Sequence, residues 1–146
     1  MTIYLILLTP FIAAGTAQVI KIILAKKNKM RVKDLIKFSY SGMPSGHSAF
    51  VSSLTTVIGL SQGFDSPLFA LTLAFAVLVI NDALRLRQYL GQQGSIINIL
   101  IKDLKEDQFL DEKYPIMKER IGHTIIEVIA GLILGAIVGI VTFNLI

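Results

Sequence analysis

Long apolar runs alternate with short polar, basic stretches along this chain, and four of the runs approach the length of a membrane span. A spanning helix needs about 20 mostly apolar residues. Residues 2–25 are apolar apart from Gln18 and Lys21 near the end. Pro10 lies inside this run, and membrane helices tolerate proline. Neither a basic lead nor a small-residue cleavage site accompanies it, so a retained span is expected rather than a signal peptide. The second run, 45–60, stops at a turn-like Ser-Gln-Gly-Phe-Asp-Ser-Pro and is polar on one side through Ser48, Ser52, Ser53, Thr55 and Thr56. Small hydroxyl residues suit close helix packing, which predicts a place inside a bundle. The third run starts at Pro67, a favoured first-turn residue, and stays apolar to Ile80 before Asn81, Asp82, Arg85 and Arg87. The fourth, 123–146, carries Gly131, Gly135 and Gly139 at every fourth position. That stripe reads as a packing surface and a candidate homodimer contact.

Residues 82–122 read as a long loop between the last two spans. Within it Ile96, Ile97, Leu100, Ile101 and Leu104 recur at helical spacing, which predicts a short interfacial helix. Residues 105–119 read as a charged, solvated connector with a break at Pro115. The expected fold is an all-α, polytopic membrane bundle of about four transmembrane helices plus that interfacial helix, in one domain over 1–146.

Composition agrees: 53% of the 146 residues are hydrophobic and 16% charged, against roughly 25% charged in soluble domains. The absence of cysteine excludes disulfides, thiolate nucleophiles and Cys-based metal sites. The net charge of +4 is uneven. Lys26, Lys27, Lys29, Arg31, Lys33 and Lys37 sit between the first two runs with Asp34 alone against them, while residues 61–66 carry no Lys or Arg. The positive-inside rule places both long loops in the cytoplasm, in a bacterial-type plasma membrane. The charge thus bears on topology, and no nucleic-acid partner is expected.

Candidate chemistry gathers at the ends of the runs. Pro44-Ser45-Gly46-His47 opens the second run, and a helix start with Gly and Ser is suited to holding phosphate. His123 opens the fourth, and Glu127 follows one helical turn later on the same face. A carboxylate there can take one imidazole N–H and leave the other nitrogen free to attack. An ionisable residue inside an apolar span is itself a functional candidate. Lys21, Arg85, Arg87 and Arg120 lie near the same ends and suit an anionic substrate. Asp82 with both histidines and Glu127 lacks the spacing of a metal site, and no nucleotide-binding glycine loop occurs.

These residues resemble the type 2 phosphatidic acid phosphatase superfamily, related to vanadium haloperoxidases, and most closely its small divergent branch. Residues 44–47 match its second motif, and His123 with Glu127 its third, with Glu in place of Asp. Ala17-Gln18 with Lys21, Gly42-Met43, Ser48-Ala49, Asp82-Ala83, Arg87, Gly91, Gln93, Asn98, Thr124, Val128 and Gly131 extend the likeness along nearly the whole chain. There are departures. Asn28 stands where the first motif has Arg, making Arg31 the nearest candidate. Met117 replaces the Arg six residues before the histidine, with Arg120 nearby, while Gln88 and Arg85 also differ.

The resemblance implies a cofactor-free, metal-independent phosphatase acting on an amphiphilic phosphate, a lipid or prenyl mono- or diphosphate. His123 would be the nucleophile, Glu127 its orienting carboxylate and His47 the acid–base. Lys21, Ser45, Gly46 and Arg87 would hold phosphate, with Arg120, Arg31 and Arg85 as further candidates and Gln18 and Asp82 close by. Two rival readings are a small transporter or anion-binding membrane protein, and a phosphatase-like protein without activity.

Overall fold

A computed structural model describes residues 2–27, 42–103, 116–117 and 122–145. Every regular element among them is helical: α1 (Thr2–Lys27), α2 (Gly46–Gln62), α3 (Pro67–Asn81), a π-helical turn (Asp82–Leu86), α4 (Arg87–Asp103) and α5 (Ile125–Asn144). Three stretches are long and apolar enough to cross a membrane: Ile3–Lys26, Pro67–Lys102 and Ile125–Asn144. Helix α2, with 17 residues, packs against α1, α3 and α5 and so lies among the spans, while α1 also touches α5. The expected membrane bundle is therefore present.

Small residues bring the helices together. On α1 the buried face is Thr9, Ala13, Ala17, Lys21 and Ala25, one residue in every four. On α5 it includes Gly131, Gly135 and Gly139. A Cβ at these glycines would lie 2.9 Å from Ser48 Cβ, 2.8 Å from Ser52 Cβ and 2.8 Å from Thr56 Cβ respectively. The hydroxyl-bearing side of α2 therefore sits against the glycine stripe, and Ser52 Oγ donates to the Leu132 carbonyl at 2.7 Å. The stripe expected as a homodimer contact is occupied within the chain, because only glycine permits this approach of two backbones.

The end of the third span also differs from expectation. Helical structure continues from Pro67 through Asp103, so the first half of the expected 82–122 loop is helix. Asp82, Arg85 and Arg87 change the polarity of the run but do not break it, and no proline occurs before Pro115. At 1.5 Å per residue the 36 residues of Pro67–Lys102 reach about 54 Å, beyond a hydrocarbon core of about 30 Å. The expected interfacial segment is the second half of α4, with Ile96, Ile97, Ile99 and Leu100 exposed and Gly91, Gly94 and Asn98 buried. Leu104 and all of the 105–119 connector except 116–117 lie outside the described residues.

Candidate functional site

The site forms where the C-terminal end of α1, the start of α2, the π-helical turn and the start of α5 meet. Two backbone hydrogen bonds tie three of these pieces together. The Ser45 amide donates to the Glu127 carbonyl at 2.9 Å, and the His123 amide donates to the Ala83 carbonyl at 3.2 Å. A π-helical turn shifts the usual helical hydrogen-bond register, and here one of its carbonyls serves another segment. Just before His123, Gly122 has φ 116°, a conformation that a side chain would strain. It turns the chain into α5.

His123 is 4% exposed, and its Nδ1 lies 3.1 Å from Glu127 Oε2. An ionised carboxylate only accepts, so Nδ1 carries the proton toward it and the neutral ring keeps its lone pair on Nε2. The same Oε2 accepts from the Thr124 amide at 2.9 Å, and Thr124 Oγ1 accepts from the Glu127 amide at 3.3 Å. His47, exposed at the start of α2, faces this pair, with ring centroids 6.2 Å apart.

Lys21 lies on the packed face of α1, not on a lipid-facing one. It is 4% exposed and within Coulombic reach of Glu127. Among the described residues its ammonium has no anionic partner at salt-bridge distance. A buried cation costs free energy unless something compensates it. Gln18, three residues earlier on α1, is half-buried.

The Pro-Ser-Gly-His turn divides its groups between structure and solvent. Ser45 is fully buried, and its Oγ caps α2 by accepting from the Ser48 amide at 3.3 Å. The two serine hydroxyls are also bonded, at 3.0 Å. Both bonds use Ser45 Oγ as acceptor, and a hydroxyl keeps one proton to donate besides. Gly46 is partly exposed with open space where a Cβ would be, and its amide carries no backbone hydrogen bond among the described residues.

The remaining expected residues are distributed differently. Asp82 and Arg85 are exposed on the π-helical turn next to Ala83. Arg87 begins α4. Arg31 and Arg120 lie outside the described residues. No group of three or more His, Asp or Glu is placed to hold a metal among the described residues.

Three participants that the family likeness names had no role assigned from the sequence. The Ala83 carbonyl had no signal, since it acts through its backbone. Thr124 did: Thr-x-x-Glu before an apolar run is a capping box. Asn98, 6% exposed, makes a two-bond clamp with the Met117 backbone. Its Nδ2 donates to the Met117 carbonyl at 2.9 Å, and its Oδ1 accepts from the Met117 amide at 2.9 Å.

Comparison with known proteins bears on the same stretch of chain. A family profile described as "Divergent PAP2 family" matches residues 4–138. The chain is 35% identical to a Bacillus subtilis (strain 168) protein named "Uncharacterized membrane protein YuiD", an alignment covering 92% of this chain and 91% of that one. No solved structure matches significantly.

Proposed function

The chain belongs to the Divergent PAP2 family, and on that premise we propose that it is a membrane phosphatase for an amphiphilic phosphate, a lipid or prenyl mono- or diphosphate. One observation carries the reading. A buried His123 held by Glu127 faces a second, exposed histidine across 6.2 Å, with the buried Lys21 ammonium within Coulombic reach of Glu127 and, among the described residues, without an anionic partner at salt-bridge distance.

In this reading Nε2 of His123 attacks phosphorus, and the P–O bond to the leaving group breaks. His47 gives its proton to the departing oxygen. Water then attacks the phosphorus of the N–P adduct and loses a proton to His47. The N–P bond breaks, and inorganic phosphate leaves with His123 restored. Lys21 and the Gly46 amide counter the charge on the phosphoryl oxygens, and Arg87 and Arg85 are further cations on the α3–α4 side. Ser45 supports the site by capping α2 and aiming His47. We place this end of the bundle on the cytoplasmic face, from the basic residues 26–37. The chain contains no cysteine, so single-cysteine labelling at 62 and 102 tests that placement directly.

The deciding experiment is phosphate release from a panel of lipid and prenyl phosphates by detergent-purified protein, with EDTA present. His123→Ala and His47→Ala run beside it. EDTA-resistant release that His123→Ala abolishes is the expected result. Phosphate binding with no release on any substrate would replace the enzyme reading with an anion-binding one.

A further inference from the structure

We propose that Thr124 is a positioning residue that sets the tautomer of His123 through Glu127. The inference rests on the phosphatase reading only for its consequence in turnover. The geometry itself is independent of it. Glu127 Oε2 serves two donors, the Thr124 amide at 2.9 Å and His123 Nδ1 at 3.1 Å. Thr124 Oγ1 holds the Glu127 amide from the other side at 3.3 Å, completing a reciprocal capping box.

The box requires Glu or Gln at its fourth position, because the side chain must reach back over a turn to the cap amide. A shorter carboxylate does not fit that pattern. Glu127, where related motifs carry Asp, is therefore matched to Thr124: the oxygen that caps α5 is also the oxygen that orients the imidazole. The Glu127 carbonyl, bonded to Ser45, fixes the backbone from which this side chain extends. With the threonine hydroxyl gone, one of the two bonds of the box is lost and the first turn of α5 loosens. The carboxylate then samples other rotamers, and the ring is free to carry its proton on Nε2. A ring protonated there has no lone pair to attack phosphorus.

The test is 15N NMR of protein labelled at histidine, in detergent, at a pH where both rings are neutral. The chain has only two histidines, and His47→Gln assigns them. In the wild type and in Thr124→Ser, His123 is expected to show a single tautomer protonated at Nδ1. In Thr124→Ala its two nitrogen signals should move toward each other as tautomers mix, approaching the pattern of Glu127→Gln. Thr124→Val keeps the side-chain volume and should behave as Thr124→Ala if that variant folds poorly. On an active substrate, kcat should fall roughly tenfold with KM little changed, the scale of losing a group that orients a reacting one, and Thr124→Ser should restore it. An unchanged His123 tautomer in Thr124→Ala or Thr124→Val overturns the proposal. A wild type that releases no phosphate defeats the phosphatase reading instead and leaves the spectroscopic answer intact.

Discussion

The Ser45 amide donates to the Glu127 carbonyl at 2.9 Å, so the segments that carry His47 and His123 are joined through their backbones, two residues from the first ring and one helical turn from the second. The distance between the histidines is thus set by helix packing. Two long side chains finding each other would be a looser device. Whatever disturbs the contact of α2 with α5 near Ser45 should disturb the site before it unfolds the bundle.

Gly131 tests this relation. A Cβ there would meet the Ser45 carbonyl and lie 2.9 Å from Ser48 Cβ, whereas at Gly139, about two turns further along α5, it would meet Thr56 and the Ser53 carbonyl. Both Gly131→Ala and Gly139→Ala should destabilise by about 1–3 kcal/mol, the usual cost of overpacking. Only Gly131→Ala should also reduce phosphate release or phosphate binding well beyond its loss of stability. Thermal unfolding in detergent, paired with either assay, separates the two effects. Equal functional losses for equal stability losses would show that the Ser45–Glu127 link does not govern the site.

Lys21 should behave as a ligand for an anion. It is buried on the face that α1 packs, beside Glu127, while Lys26 is exposed on the same helix. Lys21→Met keeps length and apolar volume but removes the charge. Phosphate affinity measured by calorimetry is expected to fall at least about tenfold, which corresponds to about 1.4 kcal/mol. Lys26→Met should change it little. Helical content by circular dichroism should be retained in both variants.

How much of this was legible in the sequence depends on which physical signal each feature leaves. The spans and the His123–Glu127 pair were readable, because hydropathy and a four-residue spacing are local properties. So was the glycine stripe as a packing surface, although the helix that fills it is α2 of the same chain. The inward face of Lys21 was not read, although Ala13, Ala17 and Ala25 at the same spacing mark it. The length of the third helix was misjudged since Asp82, Arg85 and Arg87 mimic the end of a span without breaking a helix. Ser at the residue before a helix start also predicts a cap, and Ser45 Oγ caps α2 by accepting from the Ser48 amide. The Ala83 and Glu127 carbonyls leave no trace in residue types, as any residue supplies one.

Asn98 illustrates a contact between residues 19 apart that only the fold reveals. It imitates a strand partner by offering donor and acceptor to the Met117 backbone. Asn98→Asp keeps the shape but loses the donor and adds charge beside a carbonyl. Loss of one partner at a buried polar site costs about 1–3 kcal/mol. Hydrogen exchange at the Met117 amide and proteolysis around residues 116–117 should both accelerate in Asn98→Ala and Asn98→Asp. Unchanged exchange at Met117 would show that the clamp does not hold this segment.

The π-helical turn offers the sharpest separation of stability from function. It carries one residue more than the regular helical register would accommodate, and the Ala83 carbonyl in it receives the His123 amide at 3.2 Å. Deleting Leu84 would let α3 and α4 join as one regular α-helix, with better hydrogen-bond geometry along the span. It would also withdraw the Ala83 carbonyl from His123, since a regular α-helical register would return that carbonyl to the intrahelical ladder. Thermal stability should therefore hold or rise while phosphate release, or phosphate binding, falls at least about tenfold, the scale on which a misplacement of about 1 Å costs turnover. A deletion variant that is equally stable and fully functional would show the turn to be incidental to the site. One that is both unstable and inactive would instead make the turn part of the packing of α3 on α2, where Ala76 is buried.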